Sequence, residues 1–201
     1  MKPTHLLTDL GGVLLTNGWD RAVRSKVAAE FSVDAAQMDE RHHLTYDTYE
    51  SGKIDISTYL RRIIFYEPRP YSEQQVLDYI LKQAQPLTET IELVKELKAR
   101  HGLKVGVISN EGREIGEDRV HRFRLDEFVD FFVISGCVGL RKPDEAIFRL
   151  ALDIAQIPPG QAAYLEDRGM FYEIATGLGL RAVWHKDAAT TRAKLAELGL
   201  D

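Results

Sequence analysis

An α/β fold, with a doubly wound parallel sheet and an all-helical block inserted behind its first strand, is predicted by this 201-residue sequence on three observations. From Thr88 onward helical and strand-like patterns alternate, as in a parallel sheet covered on both faces. Between about residues 18 and 85 the chain offers successive helices and little β-alternation. Four polar clusters each stand just past a β-like run: Asp9, Ser109-Asn110, Arg141-Lys142-Pro143 and Glu166-Asp167. The carboxyl ends of parallel strands share one edge of a sheet, so these clusters are expected to converge on one crevice.

The first strand is the apolar run His5-Leu6-Leu7-Thr8, closed by Asp9 and followed by Gly11-Gly12, where glycine lets other atoms approach the backbone. The helical block then places Val23, Val27 and Phe31 on one face, begins its next helix at Asp34, and sets Ser57 ahead of Tyr59, Leu60, Ile63 and Ile64. Ser72 and Gln75 have the spacing of a capping box before Val76, Leu77 and Ile80. Thr88 is expected to cap a helix that carries Ile91, Val94 and Leu97 on one face and ends at Gly102. A strand at 105–109, a charged stretch through Arg124 and a strand near 131–135 follow. Asp144 starts a helix with Ile147, Phe148 and Ala151 inward, and Pro158-Pro159-Gly160 breaks it. A strand at 162–166, a short helix stopped by Gly179, a strand from Arg181 to His185 and a last helix ending at Gly199 complete the run. The expected division is a sheet domain of residues 1–16 and 87–201 and a helical cap domain of residues 17–86, joined through Thr16 to Gly18 and Gln85-Pro86. A helical block inserted there is expected to cover the sheet's active edge.

Composition bounds the function. The chain is long enough to bury a full core, and its 44% hydrophobic and 28% charged content is that of a soluble globular protein. A formal net charge of −5 gives no basis for binding a nucleic-acid backbone, and Arg61-Arg62 reads as a solvated helix face. Cys137 stands alone, which rules out an internal disulfide; in Gly-Cys-Val it is expected to be small and buried, not an activated thiolate. Asp9 interrupts the apolar amino terminus early, so neither a signal peptide nor a membrane span is expected, and a cytoplasmic location is. Oligomeric state has no signature here.

Each polar cluster has an ordinary reading of its own. Asp before Gly forms turns, Ser-Asn can end a strand, Lys142 can be a surface charge ahead of Asp144, and Glu-Asp can cap a helix. Their joint occurrence, in this order and each behind a suitable strand, favours a shared site.

Asp9 in Thr-Asp-Leu-Gly-Gly-Val-Leu, Ser109 in Val-Ile-Ser-Asn, Lys142 in Gly-Leu-Arg-Lys-Pro-Asp and Glu166-Asp167 in Tyr-Leu-Glu-Asp-Arg together resemble the haloacid dehalogenase-like (HAD) hydrolase superfamily. Within it they are similar to phosphatases whose helical cap lies between the first and second motifs, the C1 type of subfamily IA. The resemblance spans essentially the whole chain and implies a Rossmann-like core. It implies that Asp9 attacks phosphorus and forms an aspartyl-phosphate, which splits one difficult displacement into two easier ones. Mg²⁺, a hard ion suited to oxygen ligands, would be held by Asp9, Asp167 and the backbone carbonyl of Gly11. By the same resemblance Glu166 would belong to the metal site at one remove, through water or Lys142. Lys142 would neutralise nucleophile and phosphoryl oxygens, while Ser109 and the backbone at Asn110 would donate hydrogen bonds to the phosphoryl group. The implied partner is a small phosphorylated metabolite, with no nucleic acid and no membrane. Trp19 is placed either to line the entrance or to anchor cap to core.

The chain departs from that pattern twice. Most such phosphatases carry a second aspartate two residues after the nucleophile, which protonates the leaving oxygen and then activates water; here the position is Gly11, which has no group to transfer a proton. Three substitutes present themselves: Glu111 at the site's edge; a cap residue such as His42, His43 or Tyr46; or a substrate with a good leaving group, and the last is expected here, in the form of a sugar 1-phosphate. His42 and His43 are adjacent, so both are not expected to face the site, and each has a plain surface reading. The second departure is Phe171, where many relatives have Asn or Asp. Two other functions compete: a 2-haloacid dehalogenase, which also lacks the second aspartate and needs no metal, and a weakly active or non-catalytic relative that binds a phosphorylated ligand.

Overall fold

The computed structural model describes residues 2–201. After β1 (His5–Thr8) come five helices, α1 (Arg21–Glu30), α2 (Ala35–His43), α3 (Tyr46–Glu50), α4 (Ile56–Ile63) and α5 (Glu73–Leu81). The rest alternates: α6 (Thr88–His101), β2 (Lys104–Ser109), α7 (Arg113–Arg122), β3 (Phe131–Ile134), α8 (Ser135–Val138), α9 (Glu145–Ala155), β4 (Ala162–Glu166), α10 (Gly169–Gly177), β5 (Arg181–Trp184) and α11 (Ala188–Glu197). The five strands form one parallel sheet in the order β3-β2-β1-β4-β5. The chain winds outward from β1 through β2 to β3, then returns to the other side of β1 for β4 and β5. Strand order therefore reverses between β1 and β4, which opens a crevice at their carboxyl ends.

Alternation along the strands feeds two apolar layers. Leu6, Val105, Val107, Ala163 and Leu165 pack with α6 residues Val94 and Leu97 and with Leu195 of α11. Leu7, Ile108, Val133 and Tyr164 pack on the opposite side with Phe148 and Ala151 of α9 and Ala175 of α10. The helices α1–α5 build a third cluster from Val23, Val27, Met38, Tyr59, Leu60, Ile63, Val76 and Ile80, joined by Ile115 of α7. The two connections to this segment run side by side. Leu15 bridges Pro86 in antiparallel fashion, Thr16 N donates to Gln85 O at 2.8 Å, and Leu87 N donates to Leu14 O at 2.9 Å. Among the described residues no helix is long and apolar enough to cross a membrane.

Helix ends follow side-chain chemistry closely. Asp34 and Asp144 cap α2 and α9, Ser72 and Gln75 complete the capping box of α5, and Gly102 ends α6 in the left-handed region. Two expectations shift. Leu87, not Thr88, is the residue before α6, since its N–H is drawn to Leu14 and Thr88 becomes the first helical residue. The helix of Tyr59 and Leu60 starts at Ile56 with Asp55 as its cap, accepting from Thr58 N at 2.7 Å, while Ser57 turns to Glu73. Cys137 is a correction: it is exposed, not buried. Gly136 takes the inward position on α8, where a Cβ would lie 2.4 Å from Arg113 N, so the next residue faces out.

Candidate active site

Asp9 follows β1 directly and is buried; its N–H donates to Leu165 O on β4 at 2.9 Å, and its Oδ1 accepts from Leu10 N at 2.7 Å. Lys142 reaches it from the loop before α9, its Nζ 2.9 Å from Asp9 Oδ2 and 2.8 Å from Glu166 Oε2. This lysine is fully buried, so it lies between two carboxylates with no water to share its charge. Burial alone would lower its pKa; Asp9 and Glu166 outweigh that and hold it above the usual lysine range, fully protonated.

Asn110 holds this lysine in place. Its Nδ2 donates to Lys142 O at 2.7 Å and its Oδ1 accepts from Lys142 N at 2.8 Å, so the side chain clamps a backbone and does not face the crevice. Ser109, at the end of β2, lines the crevice and its Oγ makes no hydrogen bond among the described residues. Phe171 sets its ring 5.0 Å from Lys142 Nζ, a cation–π contact that accounts for an aromatic residue at this place.

Glu166 has both oxygens occupied: Oε2 by Lys142 and by Tyr164 Oη at 2.6 Å, Oε1 by Arg168 N at 3.1 Å. Asp167 differs. Its Oδ1 is buried and accepts no hydrogen bond among the described residues, an unfavourable state for a carboxylate oxygen unless a cation completes it. Asp9, Glu166 and Asp167 each offer an oxygen within 4.8 Å of the others. Three carboxylates thus share one lysine, a deficit of positive charge. Burial first, and Glu166 second among the raising influences, hold the Asp9 carboxyl above its ordinary range against the pull of Lys142. Burial and then Asp9 do the same to Asp167. Gly12 completes the cradle: its φ is +80°, and a Cβ there would sit 2.1 Å from Asp167 Oδ2. The donor set, all hard oxygens with an orphaned acceptor and excess negative charge, fits a divalent cation such as Mg²⁺.

The crevice opens into a cavity of about 1080 Å³ between sheet and helical segment. Asp9, Gly11, Ser109, Asn110, Glu111 and Lys142 line its floor, while Trp19, His42, His43 and Tyr46 line its far wall. Both histidines therefore border the cavity, contrary to expectation, because it is wide enough to wrap the end of α2. Only His42 is tied down. Trp19 Nε1 donates to Tyr59 Oη at 2.7 Å, and Tyr59 Oη lies 2.5 Å from His42 Nδ1. With Tyr59 as donor to Nδ1, the imidazole is neutral; burial, followed by Arg24, brings its pKa to about 4. Trp19 is thus both wall and anchor. Arg141 spans from the floor to α3, pairing with Asp47 and, at 2.7 Å, with Glu50.

Arg119 lies in the charged stretch that runs through Arg124 and belongs to the site without a sequence signal of its own. It is 2% exposed and ion-pairs with Glu111 Oε1. A buried arginine on a mostly polar helix has no local signal, since its pairing partner is eight residues away and its cover comes from the loop at Gly18.

Residues 4–170 match the family model of haloacid dehalogenase-like hydrolases. Haloacid dehalogenase-like hydrolase domain-containing protein 3 of Bos taurus is 34% identical over 98 residues, 49% of this chain and 39% of the relative. Glyceraldehyde 3-phosphate phosphatase of Pyrococcus furiosus is 31% identical over 105 residues, 51% of this chain and 41% of the relative. The match thus spans about two fifths of the length of these curated relatives. A crystal structure of a HAD family enzyme from Bacteroides thetaiotaomicron, in complex with magnesium and inorganic phosphate, superposes with a TM-score of 0.77, covering 92% of this chain and 94% of that one. At 22% identity that likeness is one of fold.

Proposed function

The chain belongs to the haloacid dehalogenase-like hydrolase family, and from that premise we propose that it is a Mg²⁺-dependent phosphomonoester hydrolase acting on a small phosphorylated metabolite through Asp9. The single observation that carries this is the charge balance of the site: one lysine among three buried or half-buried carboxylates, with Asp167 Oδ1 left unpaired. The phosphatase name of the archaeal relative and the magnesium and phosphate bound by the structural neighbour point the same way.

On this reading Asp9, Asp167 and the Gly11 carbonyl hold the ion, and Glu166, whose oxygens are both engaged, orients Lys142 and the loop at Arg168. When bound, Mg²⁺ supplies the charge that lets a carboxylate approach a phosphate dianion. Asp9 is the nucleophile, Lys142 neutralises the developing charge, and Ser109 with the backbone at Asn110 donates to the phosphoryl oxygens. Residues 17–86 act as a cap over the crevice, held to the floor through Arg141. The cavity and its wall of Trp19, His42 and Tyr46 suit a sugar ring, which aromatic faces stack and neutral donors bind, so a sugar 1-phosphate is the substrate class we favour.

The test is hydrolysis of a panel of phosphorylated metabolites and p-nitrophenyl phosphate with and without Mg²⁺, with Asp9→Asn as control. Turnover that needs the ion and vanishes in the variant is the expected result; wild-type turnover by the variant refutes the mechanism. The dehalogenase alternative needs no cation, and the unpaired Asp167 oxygen speaks against it. Activity on a 2-haloacid that survives complete chelation would establish it instead.

A further inference from the structure

Position 11 has no side chain, and the space in front of it is already filled. A Cβ on Gly11 would stand 2.8 Å from Asn17 Oδ1 and 3.9 Å from Arg119 Nη1. That same Nη1 grips Glu111 Oε1. Glu111 is thus delivered, through one guanidinium, to the neighbourhood where a side chain at 11 would act. Its backbone is fixed from three directions: its N–H donates to Ser135 Oγ at 3.0 Å, and its carbonyl accepts from Gly136 N at 2.9 Å and from Ser135 Oγ at 3.1 Å. Its Oε2 makes no hydrogen bond among the described residues, and the residue borders the cavity with Asp9, Ser109 and Lys142.

We propose that Glu111, held by Arg119, is the proton-transfer residue of this site, an inference that rests on the phosphomonoesterase reading above. In the first step an Asp9 oxygen bonds to phosphorus, the bond from phosphorus to the leaving oxygen breaks, and Glu111 gives its proton to that oxygen. In the second, Glu111 as carboxylate takes a proton from water as the water oxygen bonds to phosphorus. The phosphorus–Asp9 bond then breaks, phosphate leaves, and both carboxyls return to their starting states. A good leaving group eases only the first step; the second needs a base whatever the substrate.

Burial raises the Glu111 carboxyl, Arg119 pulls it back, and Asp9 raises it again, the balance lying above the ordinary range. The other charged or titratable groups facing it are Lys142 from the floor, Tyr49 and Glu50 from α3, and Glu114 on α7 beside Tyr49. His42 is a poorer acid, because it is neutral and its Nδ1 is committed to Tyr59.

The experiment compares wild type with Glu111→Gln, which keeps an oxygen for Arg119, on p-nitrophenyl phosphate and phenyl phosphate with Mg²⁺. Steady-state turnover of both is expected to fall by about 10²- to 10⁴-fold. Nitrophenolate, which leaves unaided, should still appear as a burst of roughly one equivalent per enzyme, because the phosphorylated Asp9 accumulates. The preference for the better leaving group, read as the ratio of kcat/KM values because this reports the first step alone, should widen by at least about tenfold. Turnover within about threefold of wild type, without a burst, overturns the assignment. Should circular dichroism show Glu111→Gln unfolded, Glu111→Asp decides: a moved pH–rate limb supports the proposal and a wild-type profile overturns it. If wild type itself hydrolyses neither probe, the phosphomonoesterase reading fails first and this one falls with it.

Discussion

Replacing Lys142 with methionine tests the electrostatic core of the site. Methionine approximates the lysine stem in volume and can stay against Phe171, so the change removes one charge and little packing. What remains is Asp9 facing Glu166, both buried and both without the ammonium that lay 2.9 and 2.8 Å away. Removing one partner of a buried ion pair costs about 3–5 kcal/mol, because the other charge stays desolvated. At about 2–4 °C per kcal/mol for a chain of this size, the melting temperature should fall by roughly 6–20 °C.

The pH dependence gives the sharper check. Asp9 already titrates above its ordinary range, through burial, and loses in this variant the one group that lowered it most. A carboxyl raised in the folded state favours folding at low pH, and that contribution is lost as pH rises from the unfolded value through the folded one. The deficit should therefore be smaller at mildly acid pH, where Asp9 is more fully protonated, and larger at mildly alkaline pH, where it must ionise. Urea unfolding in EDTA, followed by the fluorescence of Trp19 and Trp184, measures both. A loss below about 1 kcal/mol at the higher pH, or an equal loss at both, would refute the picture of three carboxylates sharing one cation.

Other outcomes follow from the same geometry. Asp167→Asn should weaken Mg²⁺ binding by at least about tenfold, read as a smaller Mg²⁺-induced rise in melting temperature, since the unpaired Oδ1 would lose its charge. Gly12→Ala should cost about 1–2 kcal/mol for its positive φ and, by pushing Asp167 aside, weaken Mg²⁺ binding as well; chemical unfolding and Mg²⁺ titration read the two effects separately. Asp130 is exposed; its partial desolvation would raise the carboxyl, yet hydrogen bonds from Lys98, Val105 N and Lys104 outweigh this and bring it down to about 2. Asp130→Asn should therefore cost about 1 kcal/mol or less at neutral pH, because solvent screens this surface cluster, and that loss should shrink as pH falls from about 4 toward 2, where the wild-type carboxyl protonates.

Much of the fold was legible because its signals are local. The capping chemistry of Asp34, Ser72, Asp144 and Gly102 and the strand at 162–166 depend on neighbours a few residues apart, and each stands where it was expected. The strand tips could be ordered around one crevice because parallel sheets align their carboxyl ends, and Asp9, Lys142, Glu166 and Asp167 do meet there. Cys137 shows where local reading stops. Its exposure is decided by Gly136 packing on Arg113 across the turn, which the Gly-Cys-Val triplet does not encode.

By itself the sequence determined the alternation of elements, the ends of most helices and the set of polar residues at the sheet's edge, since each follows from periodicity and short-range hydrogen bonding. Only the tertiary structure decided what those residues are to one another: that Asn110 clamps Lys142, that Glu166 is saturated while Asp167 is not, and that Arg119, which lies beside Gly11, pairs with Glu111. The reason is physical. The charge state of a buried group depends on every dipole and ion within a few ångströms, and packing alone brings those together from distant parts of the chain.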